Sequence, residues 1–473
     1  MMSSLNPWDL AAICCGYWHL GQTPSNHFTS VEINTNQIDA NELFIAINGT
    51  NRDGHDFVKG LSTPAAAIVE RPINVAQVPQ LVVKSTKDAL YRLATAFIEE
   101  TNALKIAITG SVGKTGTKEM LATCLRQFGT THANQGNYNN HLGVPLTILS
   151  MPPSISYLIT EIGMNHKGEI APLSCLVKPN IAIITKISES HIGQLRSLKE
   201  VANEKATICA GISVNGCIIL PRDDEQYSIL EKAAIEAKIN NIISFGRNSE
   251  STIQLISSHV KETRDSTTKR IISFKILDKT YEISIGIRAE HWATNALSVI
   301  AACHFMGLDI NTACDSLKTQ TALAGRGAET KLVTKDFTTV IIDDAYNASP
   351  SSVIAALEDF ATRPERNKIV ILTDMLELCE FSNEMHLSIV PYIVSARPCS
   401  VILVGTEMSK IKKSLQPFTN VYAYSDVEEA KLAFIPNIID ADLILIKGSH
   451  GSGAHLLVEH LKSLHNEEMQ NVV

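Results

Sequence analysis

Apolar, β-branched runs recur along this chain at intervals set by helical stretches, and that alternation predicts its architecture. Between residues 87 and 320 the runs fall at 105–109, 156–162, 180–187, 216–220 and 241–245, separated by helix-period segments such as LKEVANEKATICAG. Strands apolar on both faces, joined by helices, belong in a parallel sheet covered on both sides. A polar interlude over 249–280 reads as antiparallel edge strands. From residue 321 a second series (VIIDDAY, KIVILTDM, SVILVG, DLILIKG) alternates with helices such as SPSSVIAALEDFATR, predicting another doubly wound sheet. Before residue 87 the signal is weaker. Two short strands, ELFIAI and AAAIVE, flank the glycine-rich polar loop NGTNRDGHDFV. The expected fold is α/β with three domains: a small α/β domain over 1–86, a central parallel-sheet domain over 87–320 and a Rossmann-like domain over 321–473.

Length supports that division, since 473 residues exceed one ordinary core. Hydrophobic content of 45% with 19% charged residues is that of a folded globular chain. A net charge of -8 offers no electrostatic footprint for nucleic acid, so anionic ligands must be caught locally. The ten cysteines include no C-x-x-C pair, which argues against a zinc ribbon or disulfide framework and suits a reducing, cytoplasmic setting. The first twenty residues lack a basic leader, and no apolar stretch approaches a membrane span.

The strongest chemical signal is KIAITGSVGKTGTKEM at 105–120. A buried strand runs into a tight loop and then a helix. Gly110, Ser111, Val112, Gly113, Lys114, Thr115 and Gly116 are set to cradle phosphate with backbone N–H groups. Lys114 can reach the outer phosphates, and the Thr115 hydroxyl can ligate Mg²⁺. The longer form of the motif has a glycine where Ile108 stands, so this is a shortened variant.

Other candidates sit at strand ends, where ligands of open α/β sheets bind. Glu161 closes one strand beside the loop and suits a Mg²⁺ carboxylate. His191 falls one strand over, as either a second metal ligand or an ordinary surface or core histidine. Taken alone, Lys205 reads as a helix-surface lysine. Asn139, Asn140 and His141 either line a polar channel or form a capped turn. His291 and Asn295 share a helix face that suits recognition of a base or ribose. Arg326, between glycines, can approach charge developing on phosphate. Asp343, Asp344, Tyr346, Asn347, Asp374 and Lys447 mark the productive edge of the last sheet. The 48–58 loop, with Gly49 and His55, is a recognition candidate or a connector.

Together the motifs TGSVGKT, ITEIGMNHKGEI, NYNNHLGVPLTIL, AGRG, DDAYNASPSS, TDMLEL followed by His386, and ILIKGS resemble the Mur ligases over nearly the whole chain, in order. The resemblance implies an ATP-dependent amide ligase working through an acyl phosphate. Within the family it points to a member that joins D-alanyl-D-alanine to UDP-N-acetylmuramoyl-tripeptide, as a monomer. A sibling that adds the third residue, or a non-catalytic nucleotide-binding relative, is the alternative. The family's pattern assigns phosphate binding to Lys114 and metal ligation to Thr115, Glu161, His191 and a carbamylated Lys205 that supports a second Mg²⁺. It assigns adenine contact to Asn295, ATP-facing roles to Arg326, Asp344, Tyr346 and Asn347, and substrate contacts to Asn36, Gln37, Gly49, His55, Asn139, Asn140, Lys447 and Ser449. Departures are Gln37, where an arginine is common, Trp292, Thr373, and His450 where K-G-S-R has arginine.

Overall fold

The computed structural model of the chain describes residues 5–24, 28–62, 65–74, 76–190, 192–262, 268–333, 338–434 and 441–470. Three sheets of five, nine and six strands organise them. The first runs Tyr17–Trp18, Gln80–Val82, Ala66–Val69, Leu43–Ile45, Val31–Glu32, parallel except for the Tyr17–Trp18 edge. Leu43, Phe44 and Ile45 are all buried because both faces are covered. One cover is the helix Thr86–Glu100, whose Leu90, Leu93, Ala94 and Phe97 face inward at helical spacing. Its start is set by Ser85, whose side chain accepts the Asp88 N–H at 3.1 Å.

The central sheet carries the phosphate loop. Strand Leu104–Thr109 lies between Ile181–Ile184 and Tyr157–Glu161, with Thr131–Ala133 beyond the latter. On the other side follow Cys217–Pro221 and Asn241–Gly246, all parallel. Register pairs Ile108 with Glu161, which puts the loop and that carboxylate at one sheet edge. The polar interlude forms Ile253–Glu262, Thr268–Ile276 and Lys279–Ile285, antiparallel to one another at the far edge as their alternation predicts. Helices Lys114–Leu125 and His291–Phe305 pack together on one face, bringing the Cys124 and Cys303 sulfurs to 3.5 Å.

The third sheet runs Ala328–Val333, Thr338–Asp344, Leu443–Lys447, Lys368–Thr373, Ser400–Val404, Asn420–Tyr424, with only the first strand antiparallel. Its core is not wholly its own. Ile192, on the short helix Ile192–Leu195 after the central sheet's Ile181–Ile184 strand, is buried among Val353, Leu372 and Met375. Gly193 beside it lies so close that a Cβ would sit 2.7 Å from the Glu377 carbonyl oxygen.

The loop after Lys368–Thr373 is tied by His386, whose Nε2 accepts the Met375 N–H at 3.1 Å while Nδ1 donates to the Ser382 carbonyl at 2.7 Å. Accepting requires a neutral ring, and burial lowers its pKa below the ordinary 6.5. Below 6.5 the unfolded chain therefore binds more protons than the folded one, and stability falls as pH falls. Thermal unfolding followed from pH 8 to 5 should show this loss, with a shallower slope in His386→Gln.

Candidate active site

The phosphate loop is shaped by contacts that only glycine permits. Gly110 has φ +150° and a Cβ there would lie 1.9 Å from the Thr185 hydroxyl, which itself donates to the Val112 carbonyl at 2.6 Å. Gly113 has φ +88°, and its α-carbon faces Asn295 so closely that a Cβ would lie 2.7 Å from Oδ1. Gly116 abuts Trp292, with a would-be Cβ 3.0 Å from the indole. Asn295 and Trp292 thus form the wall behind the loop. Lys114 folds back, Nζ donating to the Gly110 and Ser111 carbonyls at 2.8 and 3.2 Å, and burial lowers its pKa against the pull of Glu161. The Ser111 hydroxyl donates to the Ser188 carbonyl at 3.1 Å. Gly110→Ala should cost about 1–3 kcal/mol of loop strain, hence roughly tenfold to hundredfold weaker ADP binding in a calorimetric titration.

Two hard oxygen donors flank Lys114. The Thr115 hydroxyl donates to Glu161 Oε2 at 2.7 Å, and Asn139 Nδ2 donates to Oε1 at 2.7 Å. An alcohol and a carboxylate converging beside a phosphate cradle fit Mg²⁺, which takes few protein ligands and completes its shell with phosphate and water. Among the described residues no group of three His, Cys, Asp or Glu forms a fuller metal cage. His191 lies outside the described residues. Lys205, which taken alone reads as a surface lysine, is instead 1% exposed on the inward face of helix Leu198–Ala206. Desolvation, then the Lys114 charge, hold its amine well below the ordinary lysine range. Helical spacing alone places a lysine on a turn without saying which face is covered.

The third sheet supplies the opposing wall. Arg326 Nη2 donates to the Thr115 hydroxyl at 2.9 Å, and its guanidinium lies 4.0 Å from the centroid of the Tyr346 ring. The turn is anchored by Gly325 N–H on Asp343 Oδ2 at 3.0 Å and by Tyr346 N–H on the Gly325 carbonyl at 3.0 Å. Lys447, at the end of the neighbouring strand, pairs with Asp344 at 2.8 Å and donates to the Asn347 carbonyl at 3.0 Å. Burial raises the Asp344 pKa against that lysine. Ser449 accepts the Leu376 N–H at 3.1 Å, so it also braces the adjoining loop. His450 stacks on His455 with ring centroids 4.0 Å apart.

Several predicted contacts do other work here. Asn140 caps the turn before helix Gly143–Leu149, its Oδ1 accepting from Leu142 and Gly143 at 3.0 and 2.9 Å, so the capped-turn reading describes it. His55 is buried with Nδ1 on Asp53 at 2.6 Å and Nε2 accepting the Glu70 N–H at 2.8 Å; its ring serves the domain's own loop, leaving no free nitrogen for a substrate. Asn36, Gln37 and Gly49 are exposed on the first sheet's loops, and among the described residues no hydrogen bond joins them to the phosphate loop. Lys118 and Asn134, unremarked in the sequence, prove fully or nearly buried behind Glu161. The one signal for Lys118 was its place one turn after Lys114.

A phosphate loop on a parallel sheet, a carboxylate beside it and an arginine reaching across from a second α/β sheet define a nucleotide-dependent enzyme of three domains. Family models agree: the Mur ligase middle domain matches residues 108–303, and the Mur ligase, glutamate ligase domain matches 330–450. The chain belongs to the Mur ligase family. It is 35% identical to UDP-N-acetylmuramoyl-tripeptide--D-alanyl-D-alanine ligase of Rickettsia prowazekii over 91% of this chain and 94% of that one. The enzyme of the same name from Bacillus subtilis is 31% identical over 91% and 92%. Among solved structures, MurF from Acinetobacter baumannii superposes with a TM-score of 0.86 at 26% identity, covering 98% of each chain. This chain is accordingly an ATP-dependent ligase of the three-domain Mur fold.

Proposed function

We propose that the protein joins D-alanyl-D-alanine to UDP-N-acetylmuramoyl-tripeptide, forming UDP-N-acetylmuramoyl-pentapeptide, ADP and phosphate in peptidoglycan precursor synthesis. The observation that carries this reading is the convergence of Thr115, Glu161 and Arg326 from two sheets, in a chain similar end to end to enzymes named for that reaction. The three sheets support domain limits near residues 86 and 320. In this reading the protein is a monomeric cytoplasmic enzyme acting on small molecules; among the described residues no helix is long and apolar enough to cross a membrane.

In this reading the loop N–H groups and Lys114 hold the ATP phosphates, and Asn295 meets the adenine end. Lys114 must exchange its present bonds to the Gly110 and Ser111 carbonyls for phosphate oxygens, trading neutral acceptors for anionic ones. Thr115 and Glu161, with His191 and carbamylated Lys205 by family resemblance, would hold Mg²⁺, which supplies charge neutralisation at the phosphates. The tripeptide's carboxylate oxygen attacks the γ-phosphorus and ADP departs, leaving an acyl phosphate. Arg326 faces the charge that spreads over the equatorial oxygens. The free amine of D-alanyl-D-alanine then attacks the acyl carbon, inorganic phosphate leaves, and the amine proton is lost to solvent or base. Asp344, Tyr346 and Asn347 face the ATP, and Lys447 and Ser449 line the approach of substrate.

Purified protein given ATP, Mg²⁺, D-alanyl-D-alanine and UDP-N-acetylmuramoyl-tripeptide should release phosphate and yield a product of pentapeptide mass. Silence with the tripeptide, alongside turnover of a muramoyl dipeptide with a diamino acid, would overturn the assignment in favour of the third-residue sibling.

A further inference from the structure

Behind the Glu161 carboxylate lies a buried chain of groups that phosphate binding does not use. Lys118, one turn after Lys114 on the same helix, has no solvent exposure. Its ammonium donates to the Asn134 carbonyl at 2.6 Å and pairs with Glu119 at 2.9 Å. Asn134 is 3% exposed and sits just beyond strand Thr131–Ala133; its Oδ1 accepts the Glu161 backbone N–H at 2.8 Å. That orientation leaves Asn134 Nδ2 buried without a partner among the described residues. Turning the amide would set Nδ2 against the Glu161 N–H, donor against donor, and leave both unsatisfied, so the side chain is committed to holding Glu161.

Burying an ammonium costs several kcal/mol that Coulomb pairing only partly offsets. A methionine would fill the same space without that cost. The cation therefore does something an apolar side chain could not, and the group it reaches first is the residue that fixes Glu161. We propose that Lys118, acting through Asn134, is a positioning residue that holds the Glu161 carboxylate toward the phosphate loop and so sets the enzyme's demand for divalent cation. The proposal rests on the reading of Glu161 as a Mg²⁺ ligand. In structural terms Lys118 pins the backbone of one strand end, Asn134 passes that constraint to the neighbouring strand end, and Thr115 and Asn139 receive the two carboxylate oxygens already aimed.

The test uses the full chain with Lys118→Met, which keeps length but removes charge, and Asn134→Ala, which keeps the lysine and its carbonyl partner. Two readouts are taken: calorimetric affinity for ADP with and without Mn²⁺, and the Mg²⁺ concentration for half-maximal turnover. Each variant should weaken Mn²⁺-dependent ADP binding about tenfold and raise the Mg²⁺ requirement to match. ADP binding without metal and the KM values for D-alanyl-D-alanine and the UDP-peptide should stay unchanged. The double variant should be no worse than the weaker single one, because both act on the same carboxylate. A folded Asn134→Ala with unaltered Mn²⁺ linkage would overturn the proposal, as would a loss spread equally over metal-free ADP and all substrates. Glu161→Gln separates the underlying reading: if it too leaves Mn²⁺ linkage intact, Glu161 is not a ligand and the reading itself fails, whereas its loss with normal Lys118→Met and Asn134→Ala variants overturns the positioning role alone.

Discussion

Replacing Lys205 with alanine is expected to lower turnover about a thousandfold, the scale of losing several kcal/mol of metal-borne charge stabilisation. The argument starts from burial. At 1% exposure the amine is desolvated, and Lys114 adds repulsion, so Lys205 gives up its proton more readily than an ordinary lysine. A neutral amine is the form that attacks CO₂: the ammonium first loses a proton, the nitrogen then bonds to carbon, a second proton departs, and an anionic carbamate replaces the cation. Beside Lys114 that inversion turns repulsion into attraction, and it adds an oxygen donor where Mg²⁺ is expected. Wild-type activity should therefore fall reversibly in CO₂-depleted buffer, while Lys205→Ala should be indifferent to bicarbonate and partly rescued by small carboxylates filling the vacated channel. Full activity in Lys205→Ala would end the carbamate reading. The unmodified protein carries a pH signature as well. Unfolded lysine keeps its proton up to 10.5 and the buried one loses it at lower pH, so without CO₂ stability should decline as pH falls from 10.5 toward the folded value.

Arg326 carries the second large effect. Arg326→Ala should cut kcat about a thousandfold, as removal of an arginine from a phosphoryl-transfer site does, while ADP affinity changes little. Arg326→Lys should recover only a fraction. The guanidinium carbon lies over the Tyr346 ring, 4.0 Å from its centroid, and one nitrogen donates to the Thr115 hydroxyl, a two-sided engagement that a point-charge ammonium does not reproduce. Tyr346→Leu, which removes the stacking surface and spares the charge, should cost about tenfold or less. Rapid-mixing measurement of acyl-phosphate formation separates these outcomes from slow product release. A loss of ADP affinity large enough to account for the whole deficit would show that Arg326 binds nucleotide in the ground state instead.

Much of this arrangement was legible from local patterns. Continuous apolar runs such as KIVILT mark strands covered on both faces, and a glycine-framed loop between strand and helix has one well-paid use. The edge strands of the first and third sheets escaped that logic. Ala328–Val333 alternates half-covered and exposed positions, and Tyr17–Trp18 and Val31–Glu32 are two residues long, so none of the three presents a continuous apolar run. Within the site, Thr115 and Glu161 were readable because strand-end geometry follows from chain order. Burial was not. Lys205 and Lys118 sit on helices whose covered faces are decided by elements distant in sequence, and His55 is claimed by Glu70, fifteen residues downstream.

The junction at Ile192 bears on how the two larger domains part. Any motion that separates them must draw this side chain out of a socket belonging to the other sheet, uncovering a largely buried isoleucine at a cost of about 2 kcal/mol. That is roughly a thirtyfold preference for contact before any nucleotide arrives. Because the socket is next to Met375 and Leu378, on the loop braced by His386 and Ser449, this apolar plug makes that loop and the phosphate-loop sheet neighbours in one shared core, so a change that loosens the bracing is felt at the junction.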